Sequence, residues 1–129
     1  MSVKEIVMTK ENVYHLEGVS DEEIIKAEEK LGLTFAEEYT TYLNEFGLLS
    51  YGVHELTGIC KSIRLNVVDA TIRERAENKN ITDDMYLIEQ IGVENMSIWQ
   101  NSQGEIYEVA YGAIPQKIFD SLEEYIMNS

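Results

Sequence analysis

The strongest constraint on the fold is a helix that opens and closes with clear signals between Ser20 and Gly32. Ser20 and Glu23 have the spacing of a capping box, in which each side chain accepts a hydrogen bond from the other residue's backbone N–H. Gly32 lies where a left-handed residue ends a helix. Apolar residues recur between them at helical spacing: Ile24, Ala27 and Leu31. The pattern therefore predicts a short amphipathic helix with one buried face.

A second helix is predicted directly after the first. Thr34 and Glu37 repeat the capping-box spacing, and Gly47 ends the pattern. The apolar residues of this segment fall at i, i+3, i+4 and i+7: Tyr39, Tyr42, Leu43 and Phe46. Both helices have a complete set of local signals, so we expect a helical hairpin near the N-terminus.

Two further helices are predicted later in the chain. Asn66 is placed to cap a helix over 67–77, whose apolar positions are Val68, Ile72 and Ala76. Ser121 and Glu124 form a third capping box for a terminal helix that runs through Met127.

The remaining segments have strand patterns. In chain order they are 13–16, 48–56 with a bulge at Gly52, 59–65, 85–91, 96–100 and 105–109. Residues 85–91 are apolar on both faces, which is typical of a central strand. The last two segments alternate and flank a short polar loop, so they predict a β-hairpin.

Together these elements predict one domain over residues 1–129 with an α+β fold. We expect an antiparallel β-sheet meander, with the N-terminal helical hairpin, the middle helix and the C-terminal helix packed on one of its faces.

A longer motif runs through the helical hairpin, with the order I-x-x-x-E-x-x-L-G-L, then E-E-Y-x-x-Y-L, then F-G. The residues that carry it are Ile24, Glu28, Leu31, Gly32, Leu33, Glu38, Tyr39, Leu43, Phe46 and Gly47. This order resembles the opening of the SUKH superfamily (Smi1/Knr4-like), and later segments fit that family's layout from Val19 onward. The chain departs from the family at Thr34, where proline is usual, and at Phe46, where Asn often precedes the glycine.

The resemblance implies a function as well as a fold. Proteins of this superfamily are mostly bacterial immunity proteins that neutralise toxins, commonly nucleases, and relatives act in fungal cell-wall regulation. We therefore expect an immunity protein of a toxin–antitoxin pair that binds a cognate toxin through a protein–protein interface. The alternative is a regulatory or scaffold domain of the same fold that has no toxin partner.

The charge of the chain agrees with a basic protein partner. Twenty-four acidic residues face 10 basic ones, so the net charge is −14. A negative field of this size disfavours direct binding to nucleic acid or to an anionic membrane, and it favours a basic partner such as a nuclease domain. Plain solubility is the simpler alternative. The charge sets no oligomeric state.

Catalytic, metal and cofactor signals are weak. His15 and His54 are far apart in sequence, Cys60 is the single cysteine, and Asp83-Asp84 lacks the glycine and distal glutamate of a calcium loop. We therefore expect no enzymatic activity, no cofactor and no metal, with catalysis through His54 as the less favoured reading. No apolar run is long enough to cross a bilayer and the N-terminus lacks a signal-peptide layout, so we expect a cytoplasmic protein.

The candidate partner-binding residues combine acids with aromatics in the second half of the chain. They are Glu55, Trp99, Glu105, Tyr107, Glu108 and Tyr111. Ile98 alternates with Trp99, and Ile106 with Tyr107, so the aromatics face outward if the isoleucines face the helices. Exposed aromatics beside carboxylates would suit a basic partner. The alternative is that these aromatics are core residues on the inner face.

Overall fold

The protein is described by a computed structural model that covers residues 2–92 and 95–129. Within these ranges the helices are α1 Val3–Val7, α2 Asp21–Leu31, α3 Glu37–Phe46, α4 Val67–Glu77 and α5 Leu122–Met127. The strands are β1 Tyr14–His15, β2 Leu49–Tyr51, β3 His54–Glu55, β4 Tyr86–Ile91, β5 Met96–Gln100, β6 Ile106–Ala110 and β7 Gln116–Phe119. The predicted α+β class is confirmed.

The strands form two antiparallel sheets. A small sheet has the order β1-β2-β3, and the main sheet is the meander β4-β5-β6-β7 in chain order. The hairpin predicted for β5 and β6 is confirmed, with Trp99 paired to Tyr107 across it. Residues 59–65, predicted to extend the sheet, form no strand; a single bridge joins Gly58 to Asn66 nearby.

The first helix of the N-terminal hairpin has the predicted ends. The hydroxyl of Ser20 accepts a hydrogen bond from the backbone N–H of Glu23 at 3.3 Å. Gly32 ends the helix with φ of 68°, in the left-handed region. Local side-chain chemistry therefore sets both boundaries of α2.

The predicted capping box at Thr34 is wrong, since Ala36 is the N-cap of α3 and makes no side-chain cap hydrogen bond. Side chains of other elements satisfy the backbone here instead. The N–H of Phe35 donates to the carboxylate of Glu28 at 2.8 Å, and the N–H of Ala36 donates to the hydroxyl of Tyr86 at 3.0 Å. These tertiary bonds move the helix start two residues past the predicted cap.

Helix α4 begins as predicted, because the side chain of Asn66 accepts from the N–H of Val68 at 3.0 Å. Its predicted buried face is wrong in part. Ile72 is 52% exposed and Ala76 is exposed, whereas the buried positions are Val67, Val68, Ala70 and Thr71. The helix lies along strand β4, where the hydroxyl of Thr71 accepts from the N–H of Leu87 at 3.0 Å.

Strand β4 was predicted to be central, but it lies at one edge of the main sheet. Its outer edge is covered by other parts of the fold. Thr57 donates its N–H to the carbonyl of Ile88 at 2.7 Å and its hydroxyl to the carbonyl of Leu87 at 2.6 Å. Residues 86–89 of this edge strand are buried, and a covered edge strand can have the same apolar composition as a central one.

Both faces of the main sheet pack against other parts of the fold, the outer face only in part. The inner face, with Tyr86, Ile98 and Ile106, belongs to the main core together with residues of all five helices. On the outer face, an outer cluster contains Leu87, Trp99 and Val109 together with Ala70, Ile81 and Met85. The expectation that the helices pack on one face is therefore wrong, because α4 also closes over part of the outer face. None of the described helices is both long and apolar enough to span a membrane.

Candidate functional site

The predicted strand parity is confirmed. Ile98 and Ile106 are buried in the main core, on the inner face. Trp99 and Tyr107 lie on the outer face, where the first is a member of the outer cluster and the second packs against it. The alternation of side chains along β5 and β6 therefore assigned the two faces correctly.

The interpretation of Trp99 as an exposed aromatic is wrong. Its side chain is 1% exposed, because α4 and the segment that follows it close over this part of the outer face. The indole N–H donates to the hydroxyl of Ser97 at 2.8 Å, so the polar atom of the ring is satisfied within the protein. Trp99 is a core residue that faces away from the main core.

An outer groove of about 140 Å³ lies between the C-terminal half of α4 and strands β5 and β6. Six of its lining residues define it: Glu74, Glu77, Ile81, Trp99, Val109 and Tyr111. The three apolar residues among them are buried members of the outer cluster and form the floor. The two glutamates and Tyr111, which is 69% exposed, form the mouth. The groove thus combines an apolar floor with an acidic and aromatic rim.

The two carboxylates at the mouth have different partners. Glu74 accepts from the side-chain amide of Gln90 at 3.1 Å and from the Nε of Arg73 at 3.0 Å. Glu77 accepts from the hydroxyl of Tyr111 at 3.4 Å. Across residues 2–92 and 95–129, Glu77 takes part in no ion pair. Its negative charge is therefore uncompensated and stands beside an exposed aromatic ring.

The other end of the outer face carries the predicted residues Glu105 and Tyr107. Lys117 lies there between two carboxylates, with its Nζ 2.9 Å from Glu105 and 2.7 Å from Asp120. These two acids raise the pKa of Lys117, and hydrogen bonds from Lys117 and then Asn101 lower the pKa of Glu105. The hydroxyl of Tyr107 contacts Glu105 at 3.4 Å. The charge of Glu105 is therefore largely compensated within the protein.

The remaining two predicted residues lie away from the groove. Glu108 is paired directly opposite Ile98 in the sheet, which places it on the inner face. Glu55 lies on β3 and forms a two-point pair with Arg64, with N···O distances of 3.2 and 3.1 Å. The structure therefore joins Trp99 and Tyr111 in one groove, keeps Glu105 and Tyr107 on the same face, and separates the other two.

Sequence reasoning missed Glu74 and Glu77, which are the carboxylates of the groove. The sequence does hold one signal for them: they are three positions apart on a helix, so they lie on the same face. Tyr111, beside which they lie, was already a candidate. Arg75, which lies between them on the helix, is half-buried and directed elsewhere. Its guanidinium donates to the backbone carbonyls of Asp83 and Met85 at 2.8 and 2.9 Å, and burial lowers its pKa.

A buried carboxylate that sequence reasoning also missed lies under the inner face. Glu89 is 3% exposed, because the irregular register between Leu87 and Glu89 in β4 turns it inward. It accepts from the Nδ1 of His54 at 3.0 Å, from the N–H of Glu55 at 3.0 Å and from the hydroxyl of Tyr125 at 2.5 Å. Burial, and then the charge of Glu89, raise the pKa of Tyr125. These contacts tie β3, β4 and α5 together.

His54 therefore pairs with Glu89, and Glu55 pairs with Arg64, so the side chains of these two adjacent residues have different partners. Within the described parts of the chain, no group of three or more histidine, cysteine, aspartate or glutamate side chains is arranged to hold a metal ion.

The fold is a small α+β domain in which α4 and the helical hairpin enclose a four-stranded meander. A family model of the SUKH group, described as SMI1-KNR4 cell-wall, matches residues 2–129. The chain therefore belongs to the SUKH family, and the resemblance inferred from the helical hairpin is confirmed. Domains of this family are commonly immunity proteins, and it is not a known enzyme family. No curated protein matches the chain.

Proposed function

We propose that this domain is an immunity protein that binds and neutralises a cognate bacterial toxin domain, and that the toxin is a nuclease with a basic surface. Membership of the SUKH family supports the general class. The net charge of −14 supports a basic partner, because a nuclease must present positive charge to the phosphates of its substrate.

The observation that carries the proposal is the outer groove, where exposed acid and aromatic groups stand over an apolar floor. Glu77 has no basic partner among the described residues, whereas Glu105 and Glu55 are paired to Lys117 and Arg64. Among these three carboxylates, a partner therefore gains most from Glu77 at the groove mouth. There a charge is available and little of the protein's own ion pairing has to be broken.

In this geometry the charge and the groove affect different steps of binding. The overall negative field raises the rate at which a basic partner arrives, and it contributes less to how long the partner stays. Residence depends on contacts that lose water, for which the exposed ring of Tyr111 is suited. The acidic surface would then raise the association rate, and contacts in the groove would lower the dissociation rate.

The test is co-expression in a bacterial host with the toxin domains encoded beside this gene and with a panel of basic nuclease toxin domains. We expect survival with one toxin and co-purification of a stable complex. A Glu77→Lys, Tyr111→Ser variant should lose rescue, whereas the matched variant Glu22→Lys on the exposed face of α2 should keep it. If the neighbouring toxins kill equally well with and without the domain, and no complex forms, the immunity function is wrong.

A second function is favoured by the family description, which refers to the cell wall. In that case the domain would be a regulatory or scaffold module that binds a host protein without any toxin. Capture of a host partner in a complex that withstands high salt would favour this alternative, because a steered, charge-driven complex weakens as salt is added.

A further inference from the structure

The outer groove has the size of a site for one side chain. Its volume of about 140 Å³ is close to that of an engineered apolar cavity of roughly 150 Å³ that holds one benzene molecule. Ile81, Trp99 and Val109 form an apolar floor, and the mouth carries two carboxylates. A long side chain with an apolar stem and a charged end would match both parts.

The charge of the groove selects a cation. Among the described residues that line it are Glu74 and Glu77, and none of them is a lysine or an arginine. The basic residues of α4 have other partners, since Arg73 pairs with the Oε2 of Glu74 and Arg75 donates to backbone carbonyls beyond the helix. The protein therefore leaves a negatively charged recess without a cation of its own in the described structure.

We propose that this groove binds one arginine side chain of the partner protein, with its stem against the apolar floor, mainly at Ile81, and its guanidinium between Glu77 and the ring of Tyr111. This assignment rests on the proposed function for the identity of the partner. A guanidinium is planar, carries five donors and stacks on aromatic rings. The carboxylate of Glu77 can accept hydrogen bonds from these donors, and the exposed ring of Tyr111 offers a flat face for stacking.

The groove supplies more than one acceptor for such a fork of donors. The Oε2 of Glu77 is already 3.4 Å from the Tyr111 hydroxyl, so the carboxylate and the ring are held side by side. Glu74 is held by Gln90 and Arg73, which keeps its charge near the mouth but leaves less of it free. Glu77 is therefore the main contact for the guanidinium, and Glu74 adds to the local field.

The test uses the intact domain and a soluble probe, Nα-acetyl-arginine amide. Trp99 is the single tryptophan, so its indole N–H gives one assigned resonance at the floor of the groove. We expect a saturable shift of this resonance on titration. The isosteric citrulline derivative, which has the same shape and no charge, should give little shift. The lysine derivative should bind more weakly, because an ammonium neither stacks nor forks.

Two variants locate the contact. Glu77→Gln keeps the shape of the side chain and should weaken the arginine probe roughly tenfold, since charge-assisted hydrogen bonds are about twice as strong as neutral ones. Glu29→Gln on the exposed side of α2 changes the net charge equally and should leave the affinity unchanged. An equal response to citrulline, tighter binding of lysine, or unchanged affinity in Glu77→Gln would each overturn the assignment.

The outcome separates this inference from the proposed function. If the domain rescues cells from a toxin while the probe fails to bind and Glu77→Gln rescues fully, the function stands and the arginine site is wrong. If the probe binds as expected and no toxin is neutralised, the site stands and the immunity function is wrong.

Discussion

Glu38 of α3 caps the backbone N–H of Leu122, at the start of α5, with a hydrogen bond of 2.6 Å across 84 positions of sequence. That bond is to the Oε1 of Glu38, which also accepts from the side-chain amide of Gln100 at 3.0 Å. The Oε2 accepts from the N–H of Glu123 at 3.0 Å. One carboxylate thus joins the N-terminal hairpin, the sheet and the last helix. The exposed N–H groups of a helix start are a favourable place for it.

Replacing this carboxylate should destabilise the whole fold. We expect Glu38→Ala to lower the free energy of unfolding by about 2–4 kcal/mol, because hydrogen bonds to charged groups contribute about 1.5–3 kcal/mol each. Urea denaturation followed by circular dichroism measures the change. Glu37→Ala, one residue earlier and exposed, is the matched control and should stay within about 0.5 kcal/mol. Equal losses in both variants would contradict the role assigned to Glu38.

Trp99→Ala should act on stability. The side chain is 1% exposed within the outer cluster, so its removal should lower the free energy of unfolding by about 3–5 kcal/mol. Tyr111→Ala, at the exposed rim of the same groove, should change it by no more than about 0.5 kcal/mol. Thermal and urea unfolding of the two variants would check this. A stable Trp99→Ala variant would show that the outer cluster is not a core.

The buried tyrosines should make the protein sensitive to alkali. Burial raises the pKa of Tyr51 from 10.0 to about 12, and burial also raises the pKa of Tyr39, Tyr42 and Tyr86. Above pH 10 the unfolded chain releases these protons and the folded one holds them, so the unfolded state is favoured as pH rises. The stabilisation is therefore complete below pH 10 and declines above it, over the interval from pH 10 to 12 for Tyr51.

Each such tyrosine should contribute a slope of roughly 1.4 kcal/mol per pH unit in that interval. The measurement is urea unfolding at a series of pH values, combined with ultraviolet absorbance of the phenolate. Uniform titration of all the tyrosines near pH 10 without loss of structure would contradict the prediction.

Partner association should depend on salt and on Glu77. For the toxin recovered in the rescue experiment, we expect Glu77→Lys to slow association roughly tenfold at low salt. At about 1 M salt the difference should nearly vanish, because charges are screened over roughly 3 Å. Stopped-flow mixing across a salt series measures the rates. Glu22→Lys, with the same change in net charge, is the control, and an identical salt profile for both variants would argue against the groove.

The helical hairpin shows how far local patterns reach. Ser20, Glu23 and Gly32 predicted α2 at both ends, since a capping box and a left-handed glycine act within a few residues. The same reasoning failed at Thr34. The groups that satisfy the backbone there belong to other elements: the carboxylate of Glu28 on α2, and the hydroxyl of Tyr86 on β4, which is 50 positions from Ala36.

The candidate site divides in the same way. Alternation along β5 and β6 was enough to place Trp99 and Tyr107 on the outer face, because side-chain direction in a strand has a period of two. Whether that face meets solvent depends on what packs over it. Helix α4 covers Trp99 and brings Glu74 and Glu77 beside Tyr111, and the alternation within a strand contains nothing about that approach.

The ends of α2, the strand parity, the charge and the family membership could therefore be read from the residues alone, since each depends on neighbours in the chain or on composition. The edge position of β4, the burial of Trp99, the inward turn of Glu89 and the outer groove arise from packing between distant segments. These features are stabilised by contacts between distant segments, such as those of Thr71 with Leu87 and of His54 with Glu89. Such contacts exist only after the chain has folded.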